Sequence, residues 1–233
     1  MPPRSRNQHP KLAIIIPVLN EADTIVDLAV HLKPFILKGH DVLLVDGGSH
    51  DDTLAASQAA QLRCISSSPG RALQMNAGAD ATSADYLMFL HADTRLPPNA
   101  DTLILAALTQ KTLAWGRFDV HITGQSRLLP IVAFMMNWRS RLTRIATGDQ
   151  ALFMTRNIFA LVGGFPAQPL MEDIEITKQL NQLSAPYCLT SKVTTSGRRW
   201  DNHGSWQTIL LMWKLRWLYS RGKSAESLAE MYR

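Results

Sequence analysis

The chain has 233 residues, of which 46% are hydrophobic and 18% charged, and its formal net charge is +5. This composition excludes a wholly disordered protein, and the length suits one sizeable core with a short appendage. The two cysteines, Cys64 and Cys188, stand too far apart for a zinc or disulfide framework, and they favour a reducing, cytoplasmic location. No apolar run reaches the roughly 18 residues that a membrane-spanning helix needs.

Short apolar runs alternate with helical stretches in the first half of the chain. The runs are continuous and partly β-branched, as in strands that are buried on both faces. The predicted strands cover residues 12–16, 42–45, 63–65, 86–90 and 113–118. The predicted helices between them cover residues 23–37, 52–61, 71–81 and 98–108. This alternation predicts an α/β fold, with a Rossmann-type, mostly parallel sheet flanked by helices.

The second half of the chain is less regular. A helix is predicted over 128–144, a strand over 151–154 and a helix over 173–183, and a tail over 205–232 reads as one or two helices. No repeat, low-complexity segment or linker interrupts the pattern. We therefore expect a single domain over 1–233 with a helical C-terminal tail.

Polar loops follow three of the predicted strands. Ligands of a parallel α/β sheet bind beyond the carboxyl ends of the strands. Residues 17–21, 46–53 and 91–94 all stand at such ends. One loop alone could be a turn with a helix cap, and for residues 51–53 that interpretation carries equal weight. The three loops together indicate a ligand site.

Asp93 directly follows a buried strand, so its carboxylate is expected at the rim of the sheet. A hard divalent cation is commonly held by one or two carboxylates together with substrate phosphates. Such a cation offsets the charge that builds on a departing diphosphate. The alternative is that Asp93 caps the helix that begins near Pro97.

Further motifs follow in the chain. They are Gly70-Arg71-Ala72-Leu73-Gln74-Met75-Asn76, Gly148-Asp149-Gln150, Gly163-Gly164-Phe165-Pro166, Met171-Glu172-Asp173 and Ser196-Gly197-Arg198-Arg199-Trp200. Together with the three strand-end loops, this series resembles the family 2 glycosyltransferases of the GT-A fold, in family order from Pro17 to about Gly204. The subgroup it resembles is the short bacterial one called the selenodomain-associated transferases.

The resemblance implies a fold, a reaction and a cofactor. The reaction is transfer of a sugar from a nucleotide-diphosphate sugar to an acceptor hydroxyl, with inversion and with Mg²⁺ or Mn²⁺. Residues 11–119 would form the nucleotide-sugar half of a GT-A-like domain, 120–204 the acceptor and catalytic half, and 205–233 the tail. The identities of the sugar, the base and the acceptor do not follow from the fold.

The resemblance also assigns residues to roles. Asp173 would be the base that deprotonates the acceptor hydroxyl, and Asp93 the metal ligand. Residues expected to bind the nucleotide sugar are Pro17, Asn20, Glu21, Asp46, Gly48, Ser49, Arg71, His91, Asp93, Gly148, Asp149, Arg199 and Trp200. Without the family, Asp173 reads as a helix-capping acid, Arg71 as a surface arginine, and Arg199 with Trp200 as a basic turn.

The chain departs from the family pattern in several places. Asp46-Gly47 stands where many relatives have two adjacent acids. This loop therefore does not predict which nucleotide binds. His91 replaces the first acid of the Asp-x-Asp motif, so Asp93 is left as the main metal carboxylate. Asp52 stands where glycine is common, and Ser196 where related synthases have glutamine.

Two other functions are alternatives to sugar transfer. A nucleotidyltransferase that makes nucleotide sugars would carry a glycine-rich loop with a basic residue near residues 17–21, which this chain lacks. A non-catalytic nucleotide-sugar binder or membrane-associated scaffold would not need both Asp93 and Asp173. A nucleic-acid partner is not expected, because the basic residues have no interleaved aromatic platform.

The predicted tail helix carries Trp206, Leu210, Trp213 and Trp217 on one face at helical spacing. Tryptophan with basic neighbours suits the headgroup boundary of a membrane, so peripheral contact with the inner face of the membrane is one hypothesis. A second apolar face makes a buried helix the main alternative, and a homodimer is the third.

Overall fold

The computed structural model of the protein describes residues 12–232, apart from the side chains of Arg199, His203 and Ser205. Its centre is one eight-stranded sheet. The strands are β1 Leu12–Val18, β2 Asp41–Asp46, β3 Arg63–Ser66, β4 Tyr86–Phe89, β5 Thr94–Arg95, β6 Trp115–Thr123, β7 Leu152–Thr155 and β8 Tyr187–Ser196.

The strand order is β3-β2-β1-β4-β7-β6-β8-β5. The first four strands in this order are parallel to one another. β7 is antiparallel to both of its neighbours, β8 is parallel to β6, and the short β5 is antiparallel to β8. The sheet is therefore mixed but mostly parallel, as the sequence predicts.

Helices cover the sheet and extend beyond it. They are α1 Ala22–Leu37, α2 Thr53–Ala59, α3 Arg71–Asp80, α4 Ala100–Leu108, α5 Leu129–Thr143, α6 Arg156–Leu161, α7 Glu172–Leu183, α8 Arg198–His203, α9 Ser205–Ser220 and α10 Ala225–Tyr232. Within residues 12–232, no helix combines the length and the apolarity needed to cross a bilayer.

β1 shows why its residues form a central strand. Its side chains alternate between two hydrophobic clusters, with Leu12 and Ile14 in the cluster under α1 and α4 and Ala13 and Ile15 in the one under α3, α6 and α7. All four are fully buried. A run of apolar, β-branched residues suits a strand that is covered on both faces.

The predicted strands and helices of the first half are confirmed, with shifted ends. The strand predicted over 113–118 begins at Trp115 and continues to Thr123. It therefore crosses the expected boundary between the nucleotide-sugar half, 11–119, and the acceptor half, 120–204. The helix predicted over 23–37 begins at Ala22, after Glu21. The Thr24 hydroxyl donates to the carbonyl and the carboxylate of Glu21, at 2.9 and 3.0 Å.

β8, α6 and α8 were not predicted from the sequence. β8 lies between β6 and β5, yet most of its residues are partly exposed and it contains Lys192 and several threonines. It therefore lacks the continuous apolar run that marks a buried strand. The predicted tail proves to be two helices, α9 and α10.

Candidate active site

A cavity of about 240 Å³ lies beyond the carboxyl end of β4, between the sheet and the first turn of α7. Many of the residues singled out in the sequence line it. From that set the lining includes Arg71, His91, Asp93, Gly148, Asp149, Asp173 and Trp200. Segments more than a hundred residues apart in the chain therefore meet in one place.

Asp93 reaches the cavity from the loop between β4 and β5. One carboxylate oxygen, Oδ1, lies 3.4 Å from the Thr94 hydroxyl and 3.5 Å from the Thr195 hydroxyl. These are long contacts, and the two hydroxyls bond each other more closely, at 3.0 Å. The alternative that Asp93 caps a helix is not what the structure shows, since α4 begins after Asn99.

Asp173 is fixed by backbone N–H groups. The Gly148 N–H donates to Oδ2 at 2.9 Å, and the Ile174 N–H donates to Oδ1 at 2.7 Å. Asp173 lies in the first turn of α7, where the helix dipole favours a carboxylate. The N-cap itself is Met171, which has a φ of 66°, so Asp173 is not the capping residue. The bond from Gly148 links the carboxylate to a distant segment.

Glu172 and Arg71 form an ion pair at the edge of the cavity, with 3.5 Å between Oε1 and Nη1. Burial, together with the charge of Asp173, raises the pKa of the Glu172 carboxyl above its ordinary value. Desolvation alone would lower the pKa of Arg71. The charges of Glu172, Asp173 and Asp149 outweigh it and hold that pKa above its ordinary value.

His91 and Asp149 form a second pair, with 3.2 Å between Nδ1 and Oδ1. Desolvation would raise the pKa of Asp149, but the hydrogen bond and charge of His91, with Arg71 and Arg216, bring it below its ordinary value. The His91 ring also packs against Gly148, where an added Cβ would lie 2.4 Å from Nε2. The histidine in place of the first motif acid thus anchors the segment that holds Asp173.

The first two strand-end loops are tied to each other. The Asn20 N–H donates to the Ser49 hydroxyl, and the His50 N–H donates to the Asn20 side chain, at 2.9 and 2.8 Å. The Asp46 carboxylate accepts hydrogen bonds from the Gly48 and Ser49 N–H groups. These loops do not line the cavity described above. They form a separate rim, with Pro17 within β1 and Glu21 at the start of α1.

Gln74 explains one departure from the family pattern. Its amide donates to the carbonyls of Val18 and Val45, both at 2.8 Å, and so joins the ends of β1 and β2. A Cβ at Gly47 would lie 2.8 Å from the Gln74 side-chain carbon Cδ. An acid at position 47 would therefore require the buried Gln74 to move.

The segment that carries Trp200 connects the rim of the first two loops to the cavity. The Arg198 guanidinium lies 3.6 Å from the Glu21 carboxylate, and Trp200 lines the cavity. The prediction for Arg199 falls on a side chain outside those described.

Several lining residues were not named as site residues from the sequence. They are Glu172, Thr195, Met212, Arg216 and Tyr232. Glu172 was visible as a neighbour of Asp173 in its motif. Thr195 lies on the unpredicted β8, and Arg216 lies on a tail helix whose packing no local pattern gives. No signal in the sequence alone would have brought Thr195 or Arg216 to the site.

Comparison with known proteins identifies the family. The sequence matches glycosyl transferase family 2 over residues 13–164, well over half of the chain. The chain belongs to glycosyl transferase family 2. This membership makes the protein a glycosyltransferase, and it favours that activity over the nucleotidyltransferase and non-catalytic alternatives. A comparison with curated proteins gave no match.

Solved structures of glycosyltransferases share the GT-A-like fold. A mannosyltransferase from Pyrobaculum calidifontis, in complex with GDP-Man and Mn²⁺, is 16% identical, with a TM-score of 0.66 over 97% of this chain and 70% of its own. Glucosyl-3-phosphoglycerate synthase from Mycobacterium tuberculosis, in complex with Mg²⁺ and UDP, is 18% identical, with a TM-score of 0.59 over 79% and 70%. The same enzyme in complex with Mn²⁺, UDP and glucosyl-3-phosphoglycerate is 19% identical, with the same TM-score and coverage.

Proposed function

We propose that this family 2 glycosyltransferase moves a sugar from a nucleotide-diphosphate donor to an acceptor hydroxyl, with inversion at the anomeric centre and with Mg²⁺ or Mn²⁺. The observation that carries the proposal is that Asp93 and Asp173, from opposite halves of the chain, line one cavity at the carboxyl end of the central strands. Structural neighbours bound to nucleotides and these metals support it.

Asp93 is the proposed metal ligand. Among the described residues, its carboxylate has only two long contacts, both with threonine hydroxyls, so its oxygens are available to a cation. Among residues 12–232, no three His, Cys, Asp or Glu side chains cluster as a complete metal site. This fits an ion that takes one protein carboxylate and completes its oxygen shell with the donor diphosphate. The bound ion would supply positive charge where the leaving diphosphate develops negative charge.

Asp173 is the proposed general base. Hydrogen bonds from the backbone of Gly148 and Ile174 hold its carboxylate in one orientation. A base fixed in this way accepts the proton of the acceptor hydroxyl while that oxygen attacks the anomeric carbon.

The nucleotide end of the donor is assigned to the rim formed by the first two loops. The residues assigned to the nucleotide are Pro17, Asn20, Glu21, Asp46, Gly48 and Ser49. The residues assigned to the diphosphate and the sugar are Arg71, His91, Gly148, Asp149, Arg199 and Trp200. The ion pair between Glu21 and Arg198 supports this assignment, because it connects the rim to the segment of Trp200.

We also propose that residues 1–233 form one domain and that the protein belongs to the selenodomain-associated subgroup.

The replacement Asp173→Asn tests the function. Proton abstraction by a positioned base is worth about 10²–10⁴ in rate. The variant is therefore expected to release nucleoside diphosphate from its sugar donor about 10²–10⁴-fold more slowly than wild type. Calorimetry should give an unchanged nucleoside diphosphate affinity. The control Glu175→Gln removes another carboxylate from α7 and should keep the wild-type rate. Loss of donor binding in Asp173→Asn would make Asp173 a binding or structural residue.

We also propose that α9 docks the enzyme on an anionic membrane surface, on the cytoplasmic side. Its outer face exposes Trp206, Leu210, Trp213 and Trp217, while Leu215 packs inward. Each outer side chain is more than half exposed, which argues against a wholly buried helix. The exposed cations Lys214 and Arg221 on this helix and its C-cap suit anionic headgroups. The free thiols of Cys64 and Cys188 support the cytoplasmic location.

A second helix strengthens the docking proposal. α5 exposes five large apolar side chains, Ile131, Phe134, Met135, Trp138 and Leu142. α5 and α9 each contribute residues to the cavity, Met136 from one and Met212 from the other. Both helices that expose an apolar face thus also line the cavity, which supports access of a membrane-bound acceptor to the site.

A further inference from the structure

Two arginines near the cavity form no ion pair with a carboxylate of the described residues. Arg216 of α9 lines the cavity, and its charge acts on Arg139 of α5. Nε and Nη2 of Arg139 are buried and have no hydrogen-bond partner among the described residues. Buried polar side-chain atoms are nearly always hydrogen-bonded. These nitrogen atoms are thus donors whose acceptor is not supplied by the described part of the chain.

The neighbouring cations, in contrast, have partners. Arg71 contacts Glu172, His91 contacts Asp149, and Arg117 and Arg141 contact Asp119. Arg139 and Arg216 differ from these cations, since neither forms an ion pair with a described residue, and their charges act on each other. Burial, together with the charge of Arg216, lowers the pKa of Arg139 to about 10. An anion between the two guanidinium groups would accept their hydrogen bonds and relieve their repulsion.

Arg216 and Asp173 line the same cavity, and the charge of Asp173 acts on Arg139. Under the proposed function, Asp93 holds the metal ion and, with it, the donor diphosphate. The two arginines therefore lie near the group that receives the acceptor proton.

Resting on the proposed function, we propose that Arg139 and Arg216 bind a phosphate or carboxylate group of the acceptor, close to the hydroxyl that Asp173 deprotonates. The acceptor class is then an anionic hydroxy compound, either free in solution or part of a lipid headgroup. Guanidinium groups suit this task, because their planar donors match phosphate and carboxylate oxygens in pairs.

Inorganic sulfate is the probe for this subsite, titrated by calorimetry into the free enzyme with chloride at equal ionic strength as the reference. Wild type should bind sulfate saturably. Arg139→Gln and Arg216→Gln should each weaken sulfate binding at least about tenfold, since hydrogen bonds to charged groups are worth about 1.5–3 kcal/mol. Lys214→Gln removes an exposed charge from the same helix as Arg216 and should bind sulfate as wild type does.

Nucleoside diphosphate affinity separates this proposal from a donor role. Both arginine variants should bind nucleoside diphosphate with metal as tightly as wild type. A tenfold loss in both would place the arginines on the donor diphosphate and overturn the proposal. Sulfate binding no stronger than chloride binding in wild type would also overturn it. The sulfate titration needs no nucleotide, so its failure is distinguishable from failure of the proposed function. If Arg139→Gln does not fold, Arg139→Met fills the same space without the charge.

Competition against sulfate identifies the source of the anion. Displacement by sn-glycerol 3-phosphate supports a soluble acceptor. Displacement only by phosphatidylcholine vesicles that contain phosphatidic acid supports a lipid headgroup. Displacement by neither contradicts an acceptor phosphate.

Discussion

The two carboxylates of the site differ in what holds them. Asp173 accepts hydrogen bonds from two backbone N–H groups, at 2.9 and 2.7 Å. The contacts of Asp93 within the described part of the chain are two hydroxyls, at 3.4 and 3.5 Å. A carboxylate fixed by backbone donors keeps one geometry during a proton transfer. A carboxylate with available oxygens suits a cation. The proposed function thus gives the same residue type two roles, each suited to its local partners.

The replacement Asp93→Asn tests the metal assignment at this scale. An amide oxygen keeps the size of the side chain but removes the negative charge that holds a divalent cation. The variant should fold normally, with a melting temperature near that of wild type, and lose Mn²⁺-dependent nucleoside diphosphate binding by at least about tenfold. Asp27→Asn, on the exposed face of α1, should bind like wild type. Equal calorimetric affinities in Asp93→Asn and wild type would show that Asp93 is not the metal anchor.

At the scale of elements, the sequence predicted the parts of the site that follow strands. β1, β2 and β4 are continuous apolar runs, so their ends and the polar loops beyond them were visible. α9 was visible as an amphipathic helix, but which of its two apolar faces is covered depends on packing. The structure covers the face of Leu215 and leaves that of Trp213 exposed.

The exposed tryptophans of α9 predict binding to anionic vesicles. Inserting each tryptophan should contribute roughly 1–2 kcal/mol by burying apolar area. The double variant Trp213→Ala/Trp217→Ala should therefore sediment with anionic vesicles at least about tenfold more weakly than wild type at low salt. The control Leu37→Ala/Leu161→Ala removes two exposed apolar side chains on α1 and α6. If wild type itself stays in the supernatant, or elutes as a dimer that the tryptophan variant lacks, the membrane proposal is wrong.

For the whole molecule, the fold class followed from the alternation of strands and helices, but the cavity did not. It needs α7, α9 and α10 to converge on the sheet from positions late in the chain. Arg139 and Arg216 stand 77 residues apart, and no local pattern relates them. The net charge of +5 shows an excess of cations, and only the tertiary structure shows which of them are already paired.

Thermal unfolding with nucleoside diphosphates tests the central claim most directly. A ligand that binds only the native state at about 100 times its Kd stabilises it by about 2.7 kcal/mol. For a chain of this length, that corresponds to a rise in Tm of roughly 5–10 °C. UDP or GDP is expected to give this rise with Mn²⁺ or Mg²⁺ present, and to lose most of it in EDTA. No rise with any nucleoside diphosphate and either metal would contradict a nucleotide-sugar donor site in this protein.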